Sequence, residues 1–159
     1  MGTQVTITPH GERAIRITRS FKAPRTLVFD AMSKPEMMKH WFHGAPGWTL
    51  TTCEMDLRPG GRYRWAWTGP EGQEMGMGGT IREVSPPERM VLTEKFDQAW
   101  YPGEAVNTMT FTEADGITLM SLVVEYESPE ARDGVLAIPM ASGMEVNYVR
   151  LDTYFASQG

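Results

Sequence analysis

Residues 56–67 constrain this chain more than any other stretch. A Pro59-Gly60-Gly61 turn opens the segment, and Gly69-Pro70 with Glu71-Gly72 closes it. Between these breaks Tyr63, Trp65 and Trp67 alternate with Arg62, Arg64 and Ala66. Strand side chains alternate with period two, so the three aromatics share one face and the arginines take the other. The result is a broad apolar wall in which two indole N–H groups need partners if they are buried. A strand of this kind demands a sheet with one covered face, and that face either closes a core or lines a ligand cavity.

The same signal recurs along the chain. Glu12 to Ser20 reads as a first strand. Further strands are expected over Trp48–Asp56, Arg62–Trp67, Met75–Val84, Arg89–Phe96, Val106–Glu113 and Thr118–Tyr126. Their separators are turn chemistry: Pro59-Gly60-Gly61, Gly69-Pro70, Pro86-Pro87 and Ala114-Asp115-Gly116. Joins this short predict antiparallel pairing. In the stretch from Trp48 the apolar parity changes midway, from Trp48 and Leu50 to Cys53 and Met55, which a β-bulge would explain.

Two short helices are expected after the first strand. Pro24 suits a first helical turn, and Leu27, Val28, Ala31 and Met32 recur at helical spacing. Ser33, Pro35 and Glu36 read as an N-cap, a first-turn proline and a capping-box glutamate. That second helix runs through Met37, Met38 and Trp41 to Gly44, Pro46 and Gly47. After Pro129 the helical pattern returns, with Pro139 and Gly143 kinking or splitting its start. Met144, Tyr148, Leu151 and Phe155 then form one apolar stripe. The order is strand, two short helices, six antiparallel strands and a long terminal helix, with that helix covering the concave face of the sheet. One α+β domain over residues 1–159 is expected, its ordered core about 12–156, a usual domain size.

Composition narrows the function. The chain has 15 Lys and Arg against 20 Asp and Glu, a net charge of −5, and no long basic run, which argues against nucleic acid as a partner. The single Cys53 cannot form an internal disulfide, no apolar run is long enough for a membrane span, and the N-terminus lacks a signal-peptide pattern. Gly2 with Thr6 is a chance myristoylation match. A cytoplasmic location is therefore expected. Twelve methionines fall largely inside the predicted elements, where a flexible, polarizable side chain builds either a loosely specified core or a plastic pocket.

Several residues carry chemistry. Glu94 shares parity with Met90, Leu92 and Phe96, which places a carboxyl among apolar neighbours. Burial would raise its pKa, letting it orient a polar ligand group or act as a general acid or base. It is the one catalytic candidate, and a carboxylate without a partner is a weak catalytic signal. His40 and His43 with Glu36 have a spacing compatible with metal ligation, but no Cys/His cluster completes a site, so no metal and no cofactor are expected. The macrodipole explains histidines at a helix C-terminus. Cys53 lacks a sequence-evident base. Phosphate-loop, nucleophile-elbow and dinucleotide motifs are missing from the sequence. Trp100 and Tyr101, in the loop 97–103, suit a cavity gate, a partner patch or packing on the sheet edge.

The element order resembles the START-like SRPBCC superfamily and its helix-grip fold. Within it the chain is most similar to the activator of heat-shock protein 90 ATPase homologue family. The resemblance rests on Phe21-Lys22-Ala23-Pro24 with Val28 and Ala31, Pro35-Glu36 leading to Trp41, Asp56-Leu57-Arg58-Pro59-Gly60-Gly61, and Pro86-Pro87-Glu88-Arg89 before Thr93-Glu94. The hairpin Thr108–Thr118 with Asp115-Gly116 at its turn fits as well. These run from Phe21 to Tyr154. The resemblance implies a cavity between the sheet and the C-terminal helix, which in this superfamily often holds a lipid, polyketide or other apolar molecule. It supplies no shared catalytic set. The chain matches only the C-terminal type of domain of the two-domain co-chaperones, and it carries Gly143-Met144 where relatives often have Gly-Trp.

The leading expectation is a non-enzymatic binding protein for a small, largely hydrophobic ligand. Trp41, Tyr63, Trp65, Trp67, Met90, Met109, Met120, Tyr126, Met144 and Tyr148 would contribute to the pocket, and Glu94 would be the polar anchor. A filled core is the competing reading of the same residues. An interaction module that contacts a chaperone is one alternative function, and an enzyme acting on a cavity-bound substrate through Glu94 is the other.

Overall fold

The computed structural model describes residues 4–98, 101–138 and 140–158. Eight antiparallel strands form one sheet in the order β1-β2-β8-β7-β6-β5-β4-β3. In chain order these are β1 (Thr6–His10), β2 (Ala14–Phe21), β3 (Thr49–Met55), β4 (Arg62–Thr68), β5 (Glu74–Ser85), β6 (Arg89–Phe96), β7 (Ala105–Ala114) and β8 (Ile117–Glu125). The helices α1 (Arg25–Ala31) and α2 (Pro35–Met38) follow β2, and α3 (Pro129–Leu136) and α4 (Ala141–Gln158) end the chain. The sheet curves around α4, which is the helix-grip α+β arrangement expected from the element order.

The Pro59-Gly60-Gly61 turn has a steric basis. Gly60 has a φ of +87°, in the left-handed region that favours glycine. A Cβ on Gly61 would collide with the backbone oxygen of Asp56. The turn delivers β4 with Tyr63, Trp65 and Trp67 inward, each no more than 8% exposed. The parity change in β3 is a bulge: Leu50 pairs with Trp67 and Thr52 with Ala66, leaving Thr51 as the extra residue. Beyond it Cys53 pairs with Trp65 and Met55 with Tyr63, so both apolar halves of β3 face the aromatic wall.

α4 lays Tyr148, Leu151 and Phe155 on the sheet, all three buried, with Met144 packed against the same core. The Phe21 ring meets Tyr148 and Phe155 edge-on, at centroid distances of 5.6 and 5.8 Å. An ion pair adds to this apolar seam. Arg19 lies on the inward face of β2 and is 2% exposed. Its guanidinium donates to Glu145 at 3.0 and 2.8 Å and to Asp152 at 2.9 and 2.7 Å, both on α4. Glu145 also accepts the backbone N–H of Val5 at 2.8 Å, so one carboxylate ties together the N-terminal segment, β2 and α4.

Four expectations need correction. The first strand is a hairpin of two, because β1 precedes β2. β1 escaped the pattern because it is an edge strand whose residues are mostly exposed and which contains Pro9. Ser33 is not an N-cap: its hydroxyl donates to the Phe29 carbonyl at 2.7 Å, and the N-cap position of α2 is held by Lys34, which makes no side-chain capping bond. α2 is a single turn, so Trp41 sits in the turn that follows it. The C-terminal helical region is split between Leu136 and Ala141, as expected, with Ser128 capping α3 through a bond from the Ala131 N–H at 3.1 Å, but the split is not at Gly143. Gly143 lies inside a continuous α4. The kink assigned to Pro139 falls outside the described residues.

Candidate functional site

Three adjacent strands build the floor of the site. Met90, Met109 and Leu122 stand directly opposite one another across β6, β7 and β8. The next row sets Leu92 opposite Asn107. Two residues further along β6, Glu94 comes diagonally beside Asn107, within side-chain reach. The aromatic wall supplies Trp65, with Met77 opposite it on β5. α1, α2 and the turn after them add Met32, Met38, Trp41 and Phe42, and α4 adds Met144, Asn147 and Tyr148. Together these residues enclose a cavity of about 180 Å3 between the sheet and α4.

The walls are well ordered by their own contacts. Phe42 meets Trp65 edge-on at 5.0 Å, and Trp41 stacks with Tyr148 at 6.2 Å. The Trp41 indole donates to the Ala31 carbonyl at 2.8 Å, and that of Trp67 donates to the Phe42 carbonyl at 2.8 Å. Trp65 differs. Its Nε1–H is buried and has no hydrogen-bond partner among the described residues.

Glu94 supplies the polar end. Asn107 Nδ2 donates to one carboxyl oxygen at 2.9 Å, and the Tyr101 hydroxyl donates to the other at 2.6 Å. Burial pushes the Glu94 carboxyl above the usual carboxylate range, while these two hydrogen bonds pull the other way. Burial and the neighbouring Glu94 raise the Tyr101 phenol, which keeps that hydroxyl protonated. Asn107 Oδ1, turned away from Glu94, has no partner among the described residues. One buried donor and one buried acceptor are therefore left without a partner among the described residues.

The chain matches the family model described as Activator of Hsp90 ATPase homolog 1-like protein over residues 22–156. The chain belongs to this family. Solved structures with the same fold include a Rhodobacter sphaeroides protein, 32% identical, covering 97% of this chain and 99% of that one with a TM-score of 0.91. A Mycobacterium smegmatis protein is 29% identical, covering 94% and 96% of the two chains with a TM-score of 0.81. The AHSA1 protein of Silicibacter pomeroyi, at 20% identity, shares the fold over 92% of this chain and 99% of its own, with a TM-score of 0.70. No curated protein matches the sequence. Fold and family support a ligand-binding or interaction module in general terms.

In this family member the residues expected at the pocket divide into two groups. Trp41, Trp65, Met90, Glu94, Met109, Met144 and Tyr148 line the cavity, whereas Tyr63, Trp67, Met120 and Tyr126 do not. Tyr63 spends its hydroxyl on the Thr93 carbonyl at 2.6 Å. Met120 is fully buried opposite Phe111 on β7. Tyr126 packs edge-on against Tyr101 at 5.0 Å. Glu94 is held by Tyr101 and Asn107 rather than by the aromatic wall. Tyr101, in the loop considered as a gate, is itself buried, with its ring also edge-on to Phe96 at 6.1 Å. Trp100 lies outside the described residues.

Asn107, Met32 and Met38 also line the cavity without having been expected there; Asn107 shares its strand parity with Met109 and Phe111, the one signal that points to it in the sequence. Asn147, one turn beyond Met144, accepts the Gly44 N–H at 2.8 Å and pins the α2–β3 loop to α4.

The other chemical candidates are engaged elsewhere. His40 stacks on Tyr154 at 4.9 Å. His43 accepts the Leu50 N–H at 3.0 Å and bonds the Lys39 carbonyl at 2.8 Å. The Cys53 thiol, pushed up to about 11 chiefly by burial, lies 3.8 Å from the Met38 sulfur. Among the described residues no group of three His, Cys, Asp or Glu side chains is placed to hold a metal, and no helix is long and apolar enough to cross a membrane.

Proposed function

We propose that the chain binds a small, largely hydrophobic molecule in the cavity between the sheet and α4. The observation that carries this reading is the cavity itself, walled mainly by methionine and aromatic side chains with the hydrogen-bonded Glu94–Asn107 pair among its lining residues. Apolar walls with a few converging polar groups are the usual form of a small-molecule site. Glu94 acts in this reading as an anchor rather than a catalyst, because each of its oxygens accepts a bond from a protein donor. The co-chaperone alternative draws on the family's description, an argument from analogy rather than from a site.

Native mass spectrometry of gently purified protein, compared with its denatured mass, tests the reading. A small-molecule adduct that is lost on denaturation supports it. A clean mass that also stays clean after incubation with a panel of apolar compounds counts against it.

A further inference from the structure

The cavity between the sheet and α4 has one acid and no base. Glu94 is the only carboxyl among its described lining residues, and no lysine, arginine or histidine lines it. The Tyr148 phenol, the other titratable group there, is raised by burial and stays neutral. Glu94 shares a face of β6 with Met90 and Leu92, which also line the cavity. The bond from Asn107 draws its carboxyl back along β6, toward the row in which Leu92 stands opposite Asn107. Glu94 is half-buried, whereas Met90 and Leu92 are no more than 3% exposed.

The partners of that carboxyl leave its charge unmatched. Asn107 donates to one oxygen and Tyr101 to the other, the pattern of a carboxylate, since a protonated carboxyl spends one oxygen as a donor. Both donors are neutral, and among the described residues no cationic side chain pairs with Glu94. Charges withdrawn from water are ordinarily matched by opposite ones. An ammonium group beside Glu94 would supply the match and favour the ionised carboxyl, against the burial that disfavours it. A ligand carboxylate would meet a like charge.

The rest of the cavity sets the body of the ligand. Six of its fifteen lining residues are methionines and four are aromatic. Thioethers make favourable contacts with aromatic rings, which an aliphatic chain does not gain. An apolar cavity of about 150 Å3 holds benzene, whereas drug-sized ligands need roughly 300 Å3 or more. At about 180 Å3 this one fits a single ring with a short substituent.

We propose that the preferred ligand is a compact amine with a single-ring aromatic body, its ring among the methionines and its ammonium group at the Glu94 carboxyl. The inference rests on the cavity-binding reading above and gives the polar end of that ligand a positive charge.

The test uses the full chain with isotope-labelled methionine methyl groups and glutamate carboxyl carbons, titrated separately with benzylamine, benzyl alcohol and benzoate. Benzylamine should bind about tenfold more tightly than its uncharged isostere benzyl alcohol, the worth of a charged hydrogen bond, with benzoate weaker than either. Benzylamine should also move the Glu94 carboxyl signal. Glu94→Gln, which keeps the shape and removes the charge, should bring benzylamine down to the affinity of benzyl alcohol. The wild-type carboxyl signal decides the matter if that variant does not fold. Benzyl alcohol or benzoate binding as tightly as benzylamine, an unmoved Glu94 signal, or an amine preference that survives in Glu94→Gln would overturn the amine assignment while leaving the cavity reading standing. If none of the three probes moves the cavity methyl signals, both proposals fall.

Discussion

The Asn107 side chain donates to the Glu94 carboxyl at 2.9 Å across the β6–β7 pair, so a half-buried acid and a buried amide form the polar end of the cavity. The pair fixes which way the amide points. Tyr101 completes the arrangement from the loop after β6, with a 2.6 Å bond to the other carboxyl oxygen.

The Glu94 proton is linked to folding. Its native pKa is raised, so between the ordinary glutamate value of about 4.3 and the native value the unfolded chain loses the proton first. Stability contributed by this group is therefore present at low pH and is lost as pH rises through the native value. Glu94→Gln should remove that loss and make the protein relatively more stable toward neutral pH. Urea unfolding at a series of pH values checks this, and a variant with the wild-type profile would refute it.

Tyr101→Phe removes a donor from the carboxylate while keeping the ring. The native Glu94 pKa should rise further, extending the alkaline side of the same stability loss. The expected cost is about 0.5–1.5 kcal/mol, that of one net hydrogen bond. Titrating the Glu94 side chain by NMR in both proteins measures the shift directly.

The Arg19 clasp behaves in the opposite sense. The hydrogen bonds from Arg19 hold Glu145 below the usual carboxylate range, so its contribution is present above about pH 4.3 and is lost as pH falls through the native value. Glu145→Gln should flatten the acid side of the stability curve. Arg19→Met should cost about 2–3 kcal/mol, less than a fully buried pair because both carboxylates reach water. Denaturant midpoints at constant m-value report both effects.

Gly61→Ala places a methyl group on the Asp56 backbone oxygen. Because that contact is with backbone, the turn itself must shift, at about 1–3 kcal/mol. The Thr51 bulge should be unaffected, so the cross-strand NOEs of Thr49 with Thr68 and Leu50 with Trp67 would survive while those of Met55 with Tyr63, next to the turn, change. A fully wild-type melting temperature would contradict the steric account.

Leu151 is completely buried on the face of α4 that meets the sheet. Leu151→Ala should cost about 2–5 kcal/mol as a cavity forms beneath the helix. Thermal unfolding followed by circular dichroism gives the number.

Much of the architecture was legible because strand parity is a local property. Tyr63, Trp65 and Trp67 announced one face of β4, and the shift from Leu50 to Cys53 announced the bulge in β3. The stripe from Met144 to Phe155 announced α4. Parity also held the clue to Arg19, which shares a face with Ile15, Ile17 and Phe21, but an arginine on an inward face makes sense only once Glu145 and Asp152 arrive from α4. β1 was missed because an exposed edge strand carries almost no apolar pattern.

Sequence alone therefore determined which residues turn inward, since the period of a strand or helix follows from backbone geometry. Only the tertiary structure decided which inward residues touch one another and which are left over. Tyr63, Trp65 and Trp67 share a face and are indistinguishable by pattern. Yet Tyr63 closes on the Thr93 carbonyl, Trp67 on the Phe42 carbonyl, and Trp65 on no described residue. That difference arises from carbonyls brought in by distant segments, and hydrogen bonding over such sequence separations is set by how the layers meet rather than by any local spacing.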